Sequence, residues 1–464
     1  MQRSKIRLRR GFSGVSMLAV GMGFAAAAIA ICPTPSTGPD VIVGSLYNLG
    51  DGYTGATGTG GIQAYAVGTR SLNIGDEDLE WFASVNRHPV IGQQMYRLKT
   101  DFERPVGRLE MVGMSWLKHG FTALAETQFC GGSCTFESGH GSGSYLGMGC
   151  ADPYTSSLNG QQSRLGPRGQ VNAFTGYYPF DSTHEVGTGD DAIRKRLQVA
   201  DTDMDPALNT GARYFVEGQY VTYDDATSGN GFNNSSYREV VVDASRNLEF
   251  AADSVNNCPW DLSADTPTLT HCMLPAIFAW QAIDPLVEIA TVDVPSEGRF
   301  HAARRTFDNG DGTWHYEYAI HNLNSDRSAR AFTVDFPAAT GITDQGFYAV
   351  PHHSGDCLEM SPPDPGNNAC GTAIATADWT IQVDAGAGAI AWFTDEFAVV
   401  PEANALRWGT MFNFWFDADR SPSQLSHTLT LFKPGSPSLV AFDFVLFADG
   451  FESSNTSAWS STVP

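Results

Sequence analysis

From Thr313 to His321 the chain reads Thr-Trp-His-Tyr-Glu-Tyr-Ala-Ile-His, an alternation that sends Trp314, Tyr316, Tyr318 and Ile320 to one face of a strand. The opposite face carries His315, Glu317 and His321, and on a half-buried sheet that polar face is expected to meet water. Before the strand, Asp308-Asn309-Gly310-Asp311-Gly312 is built from residues that tolerate positive φ, and Phe300 to Phe307 precedes it, so the three segments predict a hairpin. A polar turn from Asn322 to Arg327 then leads into a third alternating run at Phe332, Val334 and Phe336.

The same reading extends along the chain. Val41 to Leu46 and Ile62 to Val67 predict short strands about a Gly/Thr-rich turn, Leu79 to Ala83 predicts one helical turn, and Val90 to Leu98 with Arg108 to Trp116 predicts a strand pair. Strands resume at Lys195 to Ala200, Tyr214 to Tyr223 and Tyr237 to Val242, whereas Ile283 to Val294, with Asp284-Pro285 inside and Pro295 after it, predicts a junction. Beyond the hairpin, Gly346 to Val350, Asp378 to Val383, Gly388 to Thr394, Asn404 to Phe416 and Leu425 to Phe432 are apolar runs bounded by Gly, Pro, Asp or Asn, the spacing of a β-sandwich. Leu406, Trp408, Phe412, Phe414 and Phe416 share one parity and are expected to face the Trp314 strand.

Between Cys130 and Pro179 the periodicity gives way to Gly, Ser, Asn and Cys, a length of irregular chain that needs a function or a covalent brace. The fold expected is mainly β: a C-terminal β-sandwich over residues 286–438 and an irregular, Gly/Cys-rich, disulfide-stapled β-rich N-terminal region over 31–285. Residues 439–464 form a tail with a short apolar run and a Ser/Thr-rich end, suited to a last edge strand or to a sorting segment.

The first residues add a compartment. Arg3, Lys5, Arg7, Arg9 and Arg10 precede an apolar stretch from Val15 to Ala30 that ends in Ala28-Ile29-Ala30, which predicts a cleaved signal peptide over 1–30 and a secreted or cell-surface destination. No later run reaches the roughly 18 apolar residues of a membrane span, so no membrane-spanning segment is expected. The whole chain has a formal charge of −23, and cleavage would shift it by five to −28, which disfavours nucleic acid as a partner. For an exported chain, the even set Cys32, Cys130, Cys134, Cys150, Cys258, Cys272, Cys357 and Cys370 predicts disulfides. Cys258 with Cys272 and Cys357 with Cys370 are the natural local pairs, and the other four would staple the N-terminal region; a zinc site at Cys130, Cys134 and Cys150 is the competing reading.

Several constellations bear on chemistry. Ser115-Trp116-Leu117-Lys118 fits Ser-x-x-Lys, in which a lysine one helical turn on takes the serine proton, and His119 adds an imidazole active near neutral pH. His315 and Glu317 stand close enough on a strand to share a metal ion, with His321 too far along. His352, His353 and Asp356 form a second metal-type group on a loop. Asp201, Asp203 and Asp205, with Asn209 nearby, alternate as calcium ligands do, although Pro206 and Ala212 depart from the EF-hand pattern. Calcium is therefore the one cofactor the acidic spacing admits. There is no phosphate-binding glycine loop, no Gly-x-Ser-x-Gly and no His-Glu-x-x-His.

Met114-Ser-Trp-Leu-Lys-His-Gly-Phe121, Trp314 to Ala319, Asn322 to Ser328 and Trp408 to Asp417 resemble segments of an uncharacterised family of secreted bacterial proteins, and Phe447-Ala-Asp-Gly-Phe-Glu-Ser453 resembles a C-terminal segment shared by exported proteins of Gram-negative bacteria. The resemblance implies export and a common architecture, and it carries no established activity. The function expected is that of a non-enzymatic surface or secreted binding or structural protein. The competing expectations are an extracellular hydrolase with its site near His119 and the 130–179 loops, and a calcium-dependent adhesion module.

Overall fold

The strand Trp314–Asn322 lies inside a stack of three β-layers, covered on both faces. The computed structural model describes residues 35–54, 59–100, 107–127, 134–179, 190, 192–251, 270–337, 340–353, 356, 373–422 and 425–444. The predicted signal peptide, most of the predicted tail, and Cys32, Cys130, Cys258, Cys357 and Cys370 lie outside them. Among the described residues the protein is mainly β, with short helices such as Ser156–Asn159, Tyr223–Ser228 and Ile277–Ile283, and no helix is long and apolar enough to cross a membrane.

The middle layer is a five-stranded antiparallel sheet ordered Glu288–Val294, Gly298–Asp308, Trp314–Asn322, Thr410–Ala418, Ile342–Ala349. Its hairpin is the predicted one, with Asp308 opposite Trp314 and glycines of positive φ at 310 and 312. An outer five-stranded sheet, ordered Thr380–Asp384, Ala389–Phe393, Ala329–Asp335, Ser426–Leu431, Leu439–Phe442, packs on one face. Between them sits an aromatic core: the Tyr316 and Phe416 rings stack at 4.8 Å, Phe332 and Phe414 meet at 5.0 Å, and Trp392 and Phe414 at 5.4 Å. Such offset and edge contacts add to what the buried area contributes.

Several local expectations are corrected by this layering. Phe332 and Val334 belong to the outer sheet, not to a continuation of the hairpin, and the Thr410–Ala418 strand pairs beside Trp314–Asn322 within the middle sheet instead of facing it. Trp408 precedes that strand and turns the other way, its indole N–H donating to the Val171 carbonyl at 2.9 Å. Leu79–Glu80 is a short strand, not a helical turn, and Glu288–Val294 is an edge strand preceded by the helix Ile277–Ile283.

The N-terminal half supplies the third layer, a twelve-stranded sheet in which Val90–Thr100 and Gly107–Met114 are antiparallel partners, as their sequence predicts. The sheet curls until its ends meet, since Ser236 Oγ donates to the Val43 carbonyl at 2.7 Å and Arg238 Nη1 to the Leu46 carbonyl at 2.6 Å. Val43, Tyr65, Ile91, Met95, Val216 and Tyr220 fill the space so enclosed. Its outer face packs on the middle sheet, where Asn413 Nδ2 donates to the Leu109 carbonyl at 2.9 Å and Arg108 forks onto Glu317 at 2.6 and 2.9 Å. The face of His315, Glu317 and His321 is therefore buried, at 1%, 2% and 0% exposure, and the expectation of a solvated face fails because a non-local layer covers it.

The irregular stretch is braced as predicted by a Cys134–Cys150 disulfide, which rules out a zinc site using both thiolates. Cys272 is also disulfide-bonded, its partner lying outside the described residues.

Phe414 touches both sheets of the aromatic core and has no exposure. Phe414→Ala should cost about 3–5 kcal/mol of unfolding free energy in urea titration, and a loss under about 1 kcal/mol would mean that the two sheets are not packed as a single core.

Candidate functional site

Ser115, Lys118 and His119 are all buried, but they do not act on one another. Lys118 lies in the strand Leu117–His119, and extended backbone denies the one-turn spacing on which a Ser-x-x-Lys pair depends. Ser115 Oγ donates to the Trp116 carbonyl and accepts the Gln93 N–H at 3.1 Å, which ties the end of the strand Gly107–Met114 to the strand Val90–Thr100. Lys118 Nζ has no hydrogen-bond partner among the described residues and sits 5.2 Å from the Phe121 ring; burial first, then Arg164, pulls its pKa down to about 7.

His119 Nδ1 lies 3.0 Å from His88 Nε2, and His88 Nδ1 lies 3.0 Å from the Phe82 carbonyl. Because a carbonyl only accepts, His88 carries its proton on Nδ1 and His119 donates to His88 Nε2. The pair packs edge-on against Tyr178, whose hydroxyl donates to the His88 carbonyl at 2.7 Å. This chain orients two histidines, and it does not join them to the serine.

The acidic triplet is also dispersed. Asp201 accepts from Gln63 at 2.6 Å, Asp203 from Arg97 at 2.8 Å, and Asp205 accepts the Ala207 N–H at 2.8 Å and faces Arg246 at 3.5 Å. Asn209 donates to the carbonyls of Thr202, Asp203 and Asp205 while its own oxygen accepts from Arg97 at 2.8 Å. Arg97 thus supplies the positive charge that a calcium ion would have brought, and the three carboxylates do not converge.

On the middle sheet, His315 Nδ1 donates to Asp417 at 2.7 Å and its Nε2 lies 3.3 Å from Glu317, which is held by Arg108. Arg108 in turn lies over the Trp415 ring at 3.6 Å. Gly346 opposite permits that ring, since a Cβ there would come within 2.1 Å of it. His315, Asp344 and Asp417 place ligand atoms within 4.8 Å of one another, the one such set among the described residues. Two carboxylates and an imidazole suit a divalent cation, though the His315–Asp417 hydrogen bond already joins two of the three. His321 points elsewhere, 4.0 Å from Glu217 of the strand Arg213–Val221 and stacked on His301 at 6.5 Å. Burial pushes Glu217 up to about 7 and takes His321 down to about 3 and His301 to about 4.

A partly open pocket lies at the seam between the two halves of the chain. The short turn Arg168–Gln170 brings Arg168 and Gly169 from the irregular region; Asp326, His352, Asp356, Arg407 and Lys433 come from loops of the second half. Arg168 fits because Gly92 and Gly409 leave it room: a Cβ on Gly409, whose φ is +68°, would come within 2.6 Å of Nη1. Its Nε donates to the Ser115 carbonyl at 2.6 Å and its Nη2 to the Gln93 carbonyl at 3.0 Å, and its backbone N–H donates to Asp356 at 3.2 Å. Arg407 donates through Nη2 to the carbonyls of Pro401 and Ala403, both at 3.0 Å. Burial lowers each arginine to about 10, so both remain cationic at neutral pH.

The sequence-predicted loop residues are thereby split. His352 and Asp356 line the cavity, His353 packs on Trp116 at 6.1 Å, and the three form no metal-type set. Arg168 and Arg407 carried no signal in the sequence, where each is one arginine in an irregular stretch.

No protein-family model matches the chain, and no curated protein does. Among solved structures, a serine-rich repeat adhesion glycoprotein from Streptococcus agalactiae aligns with a TM-score of 0.18 and 8% identity over 82% of this chain and 89% of its own. The N-terminal domain of a Streptococcus gordonii adhesin aligns at 0.17 and 7% over 88% and 98%. An exo-chitosanase from Amycolatopsis orientalis aligns at 0.15 and 7% over 82% of this chain and 26% of its own. At TM-scores this low the likenesses carry no argument about function.

His321 gives a pH test. As pH falls below the ordinary histidine value of 6.5, the unfolded chain takes up a proton that the folded chain refuses until about 3, so stability is lost through that window. His321→Gln removes this contribution, and its melting temperature should fall less between pH 7 and pH 4 than that of the parent. Equal acid sensitivity in the two would show that the fold leaves the proton equilibrium of His321 unchanged.

Proposed function

We propose that the protein is an exported, non-enzymatic binding protein, retained at the cell surface or released, whose ligand occupies the cavity at the seam. The observation that carries this reading is the contrast between that cavity, where charged groups from both halves of the chain are assembled, and the Ser115 set, in which Ser115 and His119 are each engaged in a separate buried hydrogen bond and Lys118 is joined to neither. A basic start followed by an apolar stretch ending at Ala28-Ile29-Ala30, together with the Cys134–Cys150 disulfide, supports export. The tail with Phe447-Ala-Asp-Gly-Phe-Glu-Ser453 is read as the segment that a sorting apparatus recognises.

Purified mature protein is expected to show no turnover of ester, peptide or glycoside substrates. Turnover that disappears in a folded His119→Ala variant would establish the hydrolase reading in its place. A chelator is expected to leave the melting curve where it was, because the Asp203, Asp201 and Asp205 carboxylates are held apart by Arg97, Gln63 and Arg246 in turn. A lowered melting temperature would instead favour the calcium-dependent adhesion module.

A further inference from the structure

We propose that this cavity takes the carboxylate of a small organic acid, held between the Arg168 and Arg407 guanidinium groups, a step that rests on the reading of the protein as a binding protein with its ligand seated there. Arg168 and Arg407 are 4% and 8% exposed, and Arg168 Nη1 and Arg407 Nε have no hydrogen-bond partner among the described residues. A buried guanidinium N–H without an acceptor is costly, and a carboxylate is the acceptor that a guanidinium fork fits in shape and charge.

The charge balance of the lining selects a monoanion. Among the lining residues Arg168, Arg407 and Lys433 face Asp326 and Asp356, a balance of one positive charge in a chain whose formal total is −23, with Glu217 acting on Arg168 and Glu402 on Arg407 from behind the lining. Lys433 Nζ spans both Asp326 oxygens at 2.9 and 3.0 Å, so that pair is internally neutral and the surplus falls on the arginines. His352 adds no charge, since burial and the neighbouring Arg407 push it down to about 3. One carboxylate balances the site, whereas a phosphate dianion would leave a negative charge buried. The body of the ligand is apolar and compact: Trp408, Ile374 and Met114 also line the cavity, and the Trp408 ring is fixed by its bond to Val171.

The test is calorimetric titration of the mature protein with benzoate, acetate, benzamide and inorganic phosphate. Benzoate and acetate should bind at one site per chain, benzoate the tighter, with benzamide and phosphate at least about tenfold weaker than benzoate. Arg407→Met should weaken benzoate by about tenfold or more. Lys433→Met cancels the surplus charge at a more exposed position and should act in the same direction, while Asp326→Asn adds to the surplus and should strengthen binding. The Lys433 and Asp326 variants keep the test decisive if Arg407→Met fails to fold. Benzamide binding as tightly as benzoate, or indifference to all three substitutions, would overturn the carboxylate while leaving a ligand cavity in place. Phosphate equal to acetate would replace the carboxylate with a general oxyanion site. No binding of benzoate or acetate overturns the inference outright, and turnover of a substrate overturns the binding-protein reading separately.

Discussion

Burial of the middle sheet on both faces is the constraint from which the rest follows. A sheet of aromatic and aliphatic residues could be covered twice at little cost, but the strand Trp314–Asn322 alternates, and its second face carries imidazoles and a carboxylate. Covering that face obliges the protein to satisfy each polar group from within. Arg108 reaches across to Glu317, Asn413 donates to the Leu109 carbonyl, and the Tyr348 hydroxyl donates to the Met111 carbonyl at 3.3 Å. These contacts tie the two halves of the chain in one orientation, since each is directional in a way that the aromatic core on the opposite face is not.

The seam follows from the same arrangement. Where the large sheet and the loops of the second half no longer meet strand against strand, Arg168 and Arg407 are held by backbone carbonyls, and the charges there are balanced only in part. The acidity of the chain as a whole gives no hint of this, because net charge is dominated by the solvated surface and says little about a small buried lining.

What could be read from the sequence was local. Period-two alternation and turn chemistry fixed the hairpin about Asp308 to Gly312 and the pairing of Val90–Thr100 with Gly107–Met114, both being set by residues near one another in the chain. Alternation also identified the aromatic face correctly, but it could not reveal whether the polar face was wet, because the strand Gly107–Met114 that covers it lies some two hundred positions earlier, as the Arg108–Glu317 separation of 209 shows. The same limit applies to the candidate site. Spacing singled out Ser115, Asp201 and Asp203 by their resemblance to local motifs, and their real partners, Gln93, Gln63 and Arg97, come from other strands. Arg168 and Arg407 belong to no motif at all, and only the glycines at 92 and 409 mark the space one of them needs.

The curled large sheet has a consequence for how the chain is made. Its first strand is closed against residues 192 and 193 positions further on, so that strand has nothing to complete it until roughly the first half of the polypeptide is available. Contacts of such long range form slowly, since loop closure must precede any gain from pairing. A chain made amino end first carries an open, apolar strand edge until the residues that close it have emerged.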